Sequence, residues 1–295
     1  MHKAGFINII GKPNVGKSTL LNSIIGEKLS IITSKPQTTR HRILAIYNDE
    51  NHQIVFSDTP GIIYDPHYKL QKAMNTFVNT SFEDADGILF VTDIFDDMKY
   101  NEKFLERLKN VKVPKFLIVN KIDLGDQQKA NNIIRSWHKI TDFQDTIAIS
   151  AKLGFNTDVL IEKIKDILPE GPPYYPKDQF TDKTERFFIE EIIREKILLL
   201  YKQEVPYSVE VAVQEWKETT KNGKPFIKIS AYIYVARRSQ KQIIIGKNGE
   251  KIKRLGIEAR KDIEAFLGAN TYLELYVKVL ENWRDDETKL KKLGY

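Results

Sequence analysis

The chain has no cysteine among its 295 residues. That excludes disulfides, a thiol nucleophile, zinc–thiolate sites and iron–sulfur clusters. Long apolar runs are missing too, and none approaches the ~20 residues of a membrane span. The opening stretch, MHKAGFINIIGKPN, has an apolar run too short for a secretory signal, with no small-residue cleavage site after it. There is no lipidation motif, internal repeat or low-complexity tract. The five histidines, at positions 2, 41, 52, 67 and 138, share no metal-ligand spacing. A soluble, cytosolic chain is expected.

Apolar residues make up 41% and charged residues 29%, enough for a packed core. The length suits about two domains at ~100–200 residues each. The net charge of +6 is unevenly spread: residues 1–171 carry +1 and residues 172–295 carry +5. Within 237–261, nine Lys/Arg face two glutamates, which points to a polyanionic partner. Residues 169–176 hold four prolines, whose fixed φ and missing donors stop helix and sheet alike. A linker or a tight interdomain crossing is expected there.

Before the prolines, short apolar runs at Phe6–Ile10, Ile54–Phe56, Ile88–Val91, Phe116–Val119 and Ile147–Ile149 read as strands buried on both faces. Helical patterns near 17–26, 69–80, 99–109, 127–139 and 156–168 separate them, implying a doubly wound, mostly parallel sheet. Ligands of such folds lie at the carboxyl ends of strands. After the prolines the order changes to α-β-β-α-α-β. Its parts are a helix over 183–200, alternating strands at Tyr207–Trp216 and Phe226–Val235 joined by an Asn222-Gly223 turn, helices near 239–245 and 249–267, and a strand at Tyr272–Val279.

Four motifs fall at strand ends of the first half. Gly11-Lys12-Pro13-Asn14-Val15-Gly16-Lys17-Ser18 matches G-x-x-x-x-G-K-[ST] between a strand and a helix. Its glycines let backbone N–H groups turn inward as an anion nest at a helix N-terminus. Lys17 reaches β- and γ-phosphates, Ser18 is a ligand for Mg²⁺, and Thr19 adds an α-phosphate contact. Asp58, in Ser57-Asp58-Thr59-Pro60-Gly61, is placed to hold the same cation through water, and Gly61 brings a backbone N–H close to the γ-phosphate. The polar stretch 33–40 offers Thr39, or alternatively Thr38, as a ligand present only while the γ-phosphate is bound. In Asn120-Lys121-Ile122-Asp123, Asp123 accepts two hydrogen bonds from guanine and would face an unpaired acceptor on adenine, an ~1–3 kcal/mol penalty or more. The Lys121 stem covers the base, and Asn120 ties this loop to the phosphate loop. Ser150-Ala151-Lys152 offers a backbone N–H to guanine O6. Asp96-Asp97 reads as a solvated loop.

In the second half, Ile245-Gly246-Lys247-Asn248-Gly249 precedes a helix. A G-x-x-G loop approaches a sugar-phosphate backbone closely, and Lys247, Lys251, Lys253 and Arg254 add positive charge. The helix turns Ile252, Leu255, Ala259, Ile263 and Phe266 toward a core.

Together GKPNVGKS, DTPG, NKID and SAK resemble the translation-factor-like GTPases. With the G-x-x-G unit, the chain resembles the Era-like GTPases over essentially its full length. The resemblance implies a P-loop GTPase domain over 1–168, a proline-rich linker over 169–182, a type II KH domain over 183–280 and a C-terminal segment over 281–295. It implies GTP/GDP and Mg²⁺ as ligands, held by Gly11, Asn14, Val15, Gly16, Lys17, Ser18, Thr19, Asp58, Thr59, Pro60, Gly61, Asn120, Lys121, Asp123, Ser150, Ala151 and Lys152. The catalytic set is Lys17, Asn14, Thr39 and Gly61. Ras-like enzymes place a water-orienting glutamine after the DTPG-type glycine; here Ile62 stands there. In the related potassium-stimulated group the asparagine matching Asn14 helps bind K⁺. Implied partners are 16S ribosomal RNA near its 3′ end and the 30S subunit, with loose association at the inner face of the cell membrane, and a monomer is expected.

Overall fold

The computed structural model describes residues 1–33, 35–221 and 223–295. The chain divides into two units, Met1–His67 with Gln71–Asp182, and Lys183–Tyr295 with Tyr68–Leu70.

The first unit is built on six strands in the order β2-β3-β1-β4-β5-β6. They are β1 (Lys3–Ile10), β2 (Ile43–Asn48), β3 (His52–Asp58), β4 (Gly87–Asp93), β5 (Lys115–Asn120) and β6 (Asp145–Ala148). All neighbours pair in parallel except β2 with β3. β2 is not among the apolar runs of the sequence: as an antiparallel edge it is only half buried, so its pattern is less continuous. The helices are α1 (Lys17–Ile25), α2 (Lys69–Thr80), α3 (Glu102–Asn110), α4 (Gln127–His138) and α5 (Thr157–Ile167). Asn101 and Asp126 cap α3 and α4 through their side chains. One side of the sheet packs Ile10, Phe90, Leu117 and Val119 against Phe104, Leu108 and Trp137. The Phe90 and Trp137 rings meet edge to face at 4.5 Å.

Residues 169–182, expected as a linker, are bound to this unit rather than crossing free. The Ala4 N–H donates to the Pro169 carbonyl, the Gln53 side chain bonds the backbone of Tyr174 and Tyr175, and the Ile46 N–H donates to the Phe180 carbonyl. Proline lacks a donor but keeps its carbonyl, which suffices for a sheet edge.

The second unit contains α6 (Glu185–Leu200), β7 (Val209–Lys221), β8 (Lys224–Val235), α7 (Arg238–Ile245), α8 (Glu250–Leu267), β9 (Asn270–Val279) and α9 (Glu287–Lys292). The sheet runs β7-β8-β9, with β7 antiparallel and β9 parallel to β8. Of the expected Asn222-Gly223 turn, Asn222 lies outside the described residues. Alternate residues of β8, from Ile227 to Val235, pack against Ile189, Ile193 and Ile197 of α6 and Leu255, Ala259 and Ile263 of α8. Phe188 is buried and Phe187 is half-buried. The end segment closes on this unit: Trp283 is fully buried with Nε1 donating to the Ser208 carbonyl, and the Tyr295 hydroxyl donates to Glu210 at 2.6 Å.

Candidate nucleotide site and nucleic-acid groove

The phosphate loop leaves β1 at Ile10 and enters α1 at Lys17. Gly16 adopts φ 97°, and a Cβ there would stand 2.2 Å from Asn120 Nδ2. That approach lets Asn120 clamp two loops: Nδ2 donates to the Val15 carbonyl at 2.8 Å, and Oδ1 accepts the Ala151 N–H at 3.0 Å. Lys121 Nζ donates to the Asn14 carbonyl and to Asp93, each at 2.6 Å. Three motifs separated in sequence thus meet through direct hydrogen bonds.

Lys17 is buried, and Nζ donates to the carbonyls of Gly11 (3.2 Å) and Lys12 (2.8 Å). Burial pushes its ammonium down to about 8, against the pull of Asp58. Ser18 Oγ donates to Asp58 Oδ2 at 2.7 Å and lies 3.0 Å from Thr39 Oγ1. Thr39 Oγ1 is 3.5 Å from the same carboxylate oxygen. Burial raises the Asp58 carboxyl, with Lys17 opposing it. Asp58 Oδ1 is buried with no hydrogen-bond partner among the described residues. The Ser18 and Thr39 hydroxyls with this carboxylate, one of whose oxygens is orphaned, make a hard, all-oxygen donor set of the kind Mg²⁺ takes. Thr38 points its hydroxyl elsewhere, to the Lys35 carbonyl at 2.6 Å and to Thr33 at 2.8 Å. Among the described residues no cluster of three His, Cys, Asp or Glu could hold a metal.

Two cavities line this region. One, of about 440 Å³, is walled by Asn14, Gly16, Lys17, Ser18, Thr39 and Gly61 among others. The second, of about 590 Å³, has Asn120, Lys121, Asp123, Ala151 and Lys152 on its wall, and the two share Gly16, Thr19, Ile32 and Lys121. Ser150 Oγ donates to Asp123 Oδ1 at 2.6 Å, fixing the carboxylate. Gly61 lies so close to Pro13 that a Cβ would meet its Cα at 2.7 Å. Neither Thr59 nor Pro60 lines either cavity. The Thr59 hydroxyl donates to the Ile9 carbonyl at 2.8 Å. Ile62 is buried in the core beside Ile10 and Phe90, so no side chain there reaches the phosphate cavity. Ile32 escapes sequence reasoning, because nothing in a polar loop marks one apolar residue as a cavity wall.

The expected solvated loop at Asp96-Asp97 holds for Asp97, whose side chain is 54% exposed, and is corrected for Asp96. The Asp96 side chain is 1% exposed and accepts from Lys12 Nζ, Thr92 Oγ1, Tyr100 OH and Trp137 Nε1. Lys12 belongs to the phosphate loop and also bonds Asp97.

In the second unit α7 ends at Gly246, with φ 72°. The Tyr201 hydroxyl donates to the Ile244 carbonyl at 2.8 Å and holds that end. Lys247 and Asn248 are exposed at the loop tip, and Lys251, Lys253 and Arg254 are exposed on α8. Beside them lies a groove of about 310 Å³ lined by Ile252, Lys253, Gly256, Ile257, Arg260, Leu273 and Leu275. Of the expected contacts Ile245, Gly246, Lys247, Asn248, Gly249, Lys251, Lys253 and Arg254, only Lys253 is on that wall. At 100° per residue Arg254 lies nearly opposite Gly256 on α8. The strand wall, Leu273 and Leu275, comes from β9 and could not be read from the loop motif.

A family described as 50S ribosome-binding GTPase matches residues 6–121, and the KH domain family matches residues 204–284. GTPase Era of Clostridium botulinum (strain Kyoto / Type A2) is 45% identical over 296 residues, spanning all of this chain and 99% of the relative. The chain belongs to the GTPase Era family. Era of Alkaliphilus metalliredigens is also 45% identical, over 295 residues, with 100% and 99% covered. The crystal structure of a single-residue variant of Aquifex aeolicus Era bound to GDP·AlF₄⁻ superposes with a TM-score of 0.93 at 39% identity, covering 99% of each chain. An Era complex with MgGDPNP and nucleotides 1506–1542 of 16S ribosomal RNA gives the same TM-score and identity, covering 100% of this chain and 99% of that one. The expected fold, a P-loop GTPase domain followed by a KH domain, is borne out.

Proposed function

We propose that the protein hydrolyses GTP to GDP and phosphate in the first unit and uses the nucleotide state to control a hold on 16S ribosomal RNA near its 3′ end. The role is small-subunit (30S) assembly, which places the working protein in the cytoplasm. No described helix is long and apolar enough to cross a bilayer. The observation that carries the reading is the meeting of Ser18 and Thr39 at one oxygen of the buried Asp58 carboxylate, near Lys17, with the other carboxylate oxygen unpartnered among the described residues.

Each residue then has a task. Mg²⁺, when bound, neutralises charge on the β- and γ-phosphates. Ser18, Thr39 and Asp58 would hold it, directly or through water. Lys17 leaves the loop carbonyls for the β- and γ-phosphates. The loop Gly11–Thr19 cradles the phosphates, Lys121 covers the base, and Asp123, fixed by Ser150, accepts from guanine. Asn120 already occupies the Ala151 N–H, so that N–H must be shared if it also meets the guanine oxygen. With Ile62 buried, no side chain there orients the attacking water, so basal turnover is slow. Asn14 lines the phosphate cavity, where K⁺ would supply charge as in potassium-stimulated relatives. Equal turnover in KCl and NaCl rejects the K⁺ role.

The G-x-x-G loop and its groove bind single-stranded RNA, with the loop on the sugar-phosphate backbone and bases against the apolar wall. The relative's complex with nucleotides 1506–1542 supports that segment as the target. Calorimetry with GTP and ATP tests the first half: ATP held as tightly as GTP, or neither held, sinks it. Binding of the 1506–1542 RNA with a non-hydrolysable GTP analogue and with GDP tests the second, and identical affinities refute the coupling.

A further inference from the structure

We propose that the sheet of the second unit carries a second RNA-contacting surface, a tyrosine platform on the face turned away from its helices. It takes single-stranded RNA leaving the groove across the edge of β9. The inference rests on the RNA reading above and extends it to residues outside the groove.

Strand alternation makes the connection. β9 is an edge strand, and its successive side chains point to opposite faces. Leu273 and Leu275 form the groove wall. Tyr272 and Tyr276 therefore lie on the opposite face, 50% and 48% exposed. In register, Tyr276 pairs with Tyr232 on β8, and their ring centroids are 6.1 Å apart. Tyr234 continues the row, 6.1 Å from Tyr232. Lys278, on the same face, sets Nζ 3.4 Å from the centroid of the Tyr232 ring, and Lys228 is exposed opposite Tyr272. Glu274 separates the two exposed tyrosines and accepts the Tyr272 hydroxyl at 3.1 Å. At ~3.3 Å per residue, Tyr272 and Tyr276 stand ~13 Å apart, giving two separate landing points for bases.

An outward sheet face of an antiparallel or mixed sheet is ordinarily polar. One bearing four tyrosines with lysines among them has the composition of single-strand platforms, where bases stack on aromatic rings and cations meet the backbone. Continuity singles out RNA as the occupant: one strand, β9, forms both the groove wall and the platform. A chain held in the groove needs only to pass the strand edge to reach Tyr272 or Tyr276.

The test uses the full chain and nested single-stranded fragments of the 1506–1542 RNA. The shortest fragment with full loop-dependent affinity is lengthened in steps at its 5′ end and, separately, its 3′ end. Lengthening at one end is expected to tighten binding. Tyr272→Ala with Tyr276→Ala should remove that gain, about tenfold per lost stack, while the short fragment binds as before. The paired Tyr→Phe changes should keep it, since the ring does the stacking. 4-Thiouridine in the extension should crosslink to the β9 peptide. Equal affinity for short and long RNA, or an undiminished gain in the alanine variant, overturns the platform. A tyrosine-dependent dimer without RNA would give the face to a second copy and also overturns it. Gly246→Asp with Gly249→Asp separates the two readings: unaffected short-fragment binding in that variant rejects the groove itself.

Discussion

Lys12 in the phosphate loop and Asp96 in the loop after β4 form an ion pair at 2.8 Å, with the ammonium 3.9 Å from the centroid of the Tyr100 ring. The same carboxylate accepts from Thr92, Tyr100 and Trp137. One buried group therefore anchors the end of β4, the hydrophobic core and the loop that carries Lys17. The Lys12 carbonyl is itself a resting partner of Lys17.

Asp96→Ala is expected to cost about 2–5 kcal/mol of stability, because it strands several buried donors at once. It should also weaken GTP binding, since Lys12 loses its buried partner and keeps only the exposed Asp97. Burial pushes the Asp96 carboxyl up, but Lys12 and Thr92 outweigh this and hold it below the usual carboxylate range. A depressed folded value gives stability that is present above the unfolded value near 4 and lost as pH falls through the folded one. Urea unfolding should therefore show wild type losing more stability than the alanine variant on acidification below about pH 4. A variant with an unchanged urea midpoint at pH 7 contradicts the anchoring role.

Base selection rests on Asp123. Asp123→Asn replaces an acceptor-only carboxylate with a group that presents an amide donor, which clashes with the guanine N1–H and 2-amino donors. GTP affinity should fall about tenfold to a hundredfold by calorimetry, at ~1–3 kcal/mol for mispaired groups, with no matching gain for ATP. A smaller loss than fivefold would mean that the carboxylate does not read the base.

The motifs legible in the sequence are those whose residues are contiguous, because one turn of backbone builds them. The loop at 11–18 and the G-x-x-G at 246–249 are of this kind. Their lining is different. Ile32, Leu273 and Leu275 reach their cavities only through the fold. Asp96 reads as a solvated acid until Lys12, 84 residues away, is brought to it. Alternation in β9 announces two faces but not that one borders a groove. The edge strand β2 and the docked segment 169–182 are obscure for one reason: half-buried edges lack the continuous apolar signature of a central strand.

The choice between adjacent threonines now has a geometric answer to test. Thr39 Oγ1 lies 3.0 Å from Ser18 Oγ, whereas Thr38 bonds within its own loop. Thr39→Ala should reduce Mg²⁺-dependent turnover at least tenfold, while GDP binding changes little, because the contact is expected only with the γ-phosphate present. Thr38→Ala should alter turnover less than threefold. Magnesium titrations of single-turnover hydrolysis for both variants decide it, and the reverse ranking would move the ligand to Thr38.

Lys17 predicts how the nucleotide-free protein responds to pH. Burial brings its ammonium down to about 8. Between there and the ordinary value near 10.4 the unfolded chain holds a proton that the folded one has lost, so this residue's contribution to stability rises with pH across that window. Nucleotide binding works in the opposite direction, because phosphate oxygens favour the charged amine. At pH 9 binding should take up close to one proton, and GTP affinity should fall as pH climbs from 8 to 9.5. Titration calorimetry in two buffers of different ionisation heat counts that proton. Lys17→Arg keeps the charge at every accessible pH and should remove both the uptake and the pH slope. Equal apparent heats in the two buffers for wild type would mean that Lys17 is already charged in the nucleotide-free protein. Its place on the Gly11 and Lys12 carbonyls would then be a hydrogen-bonded ammonium throughout.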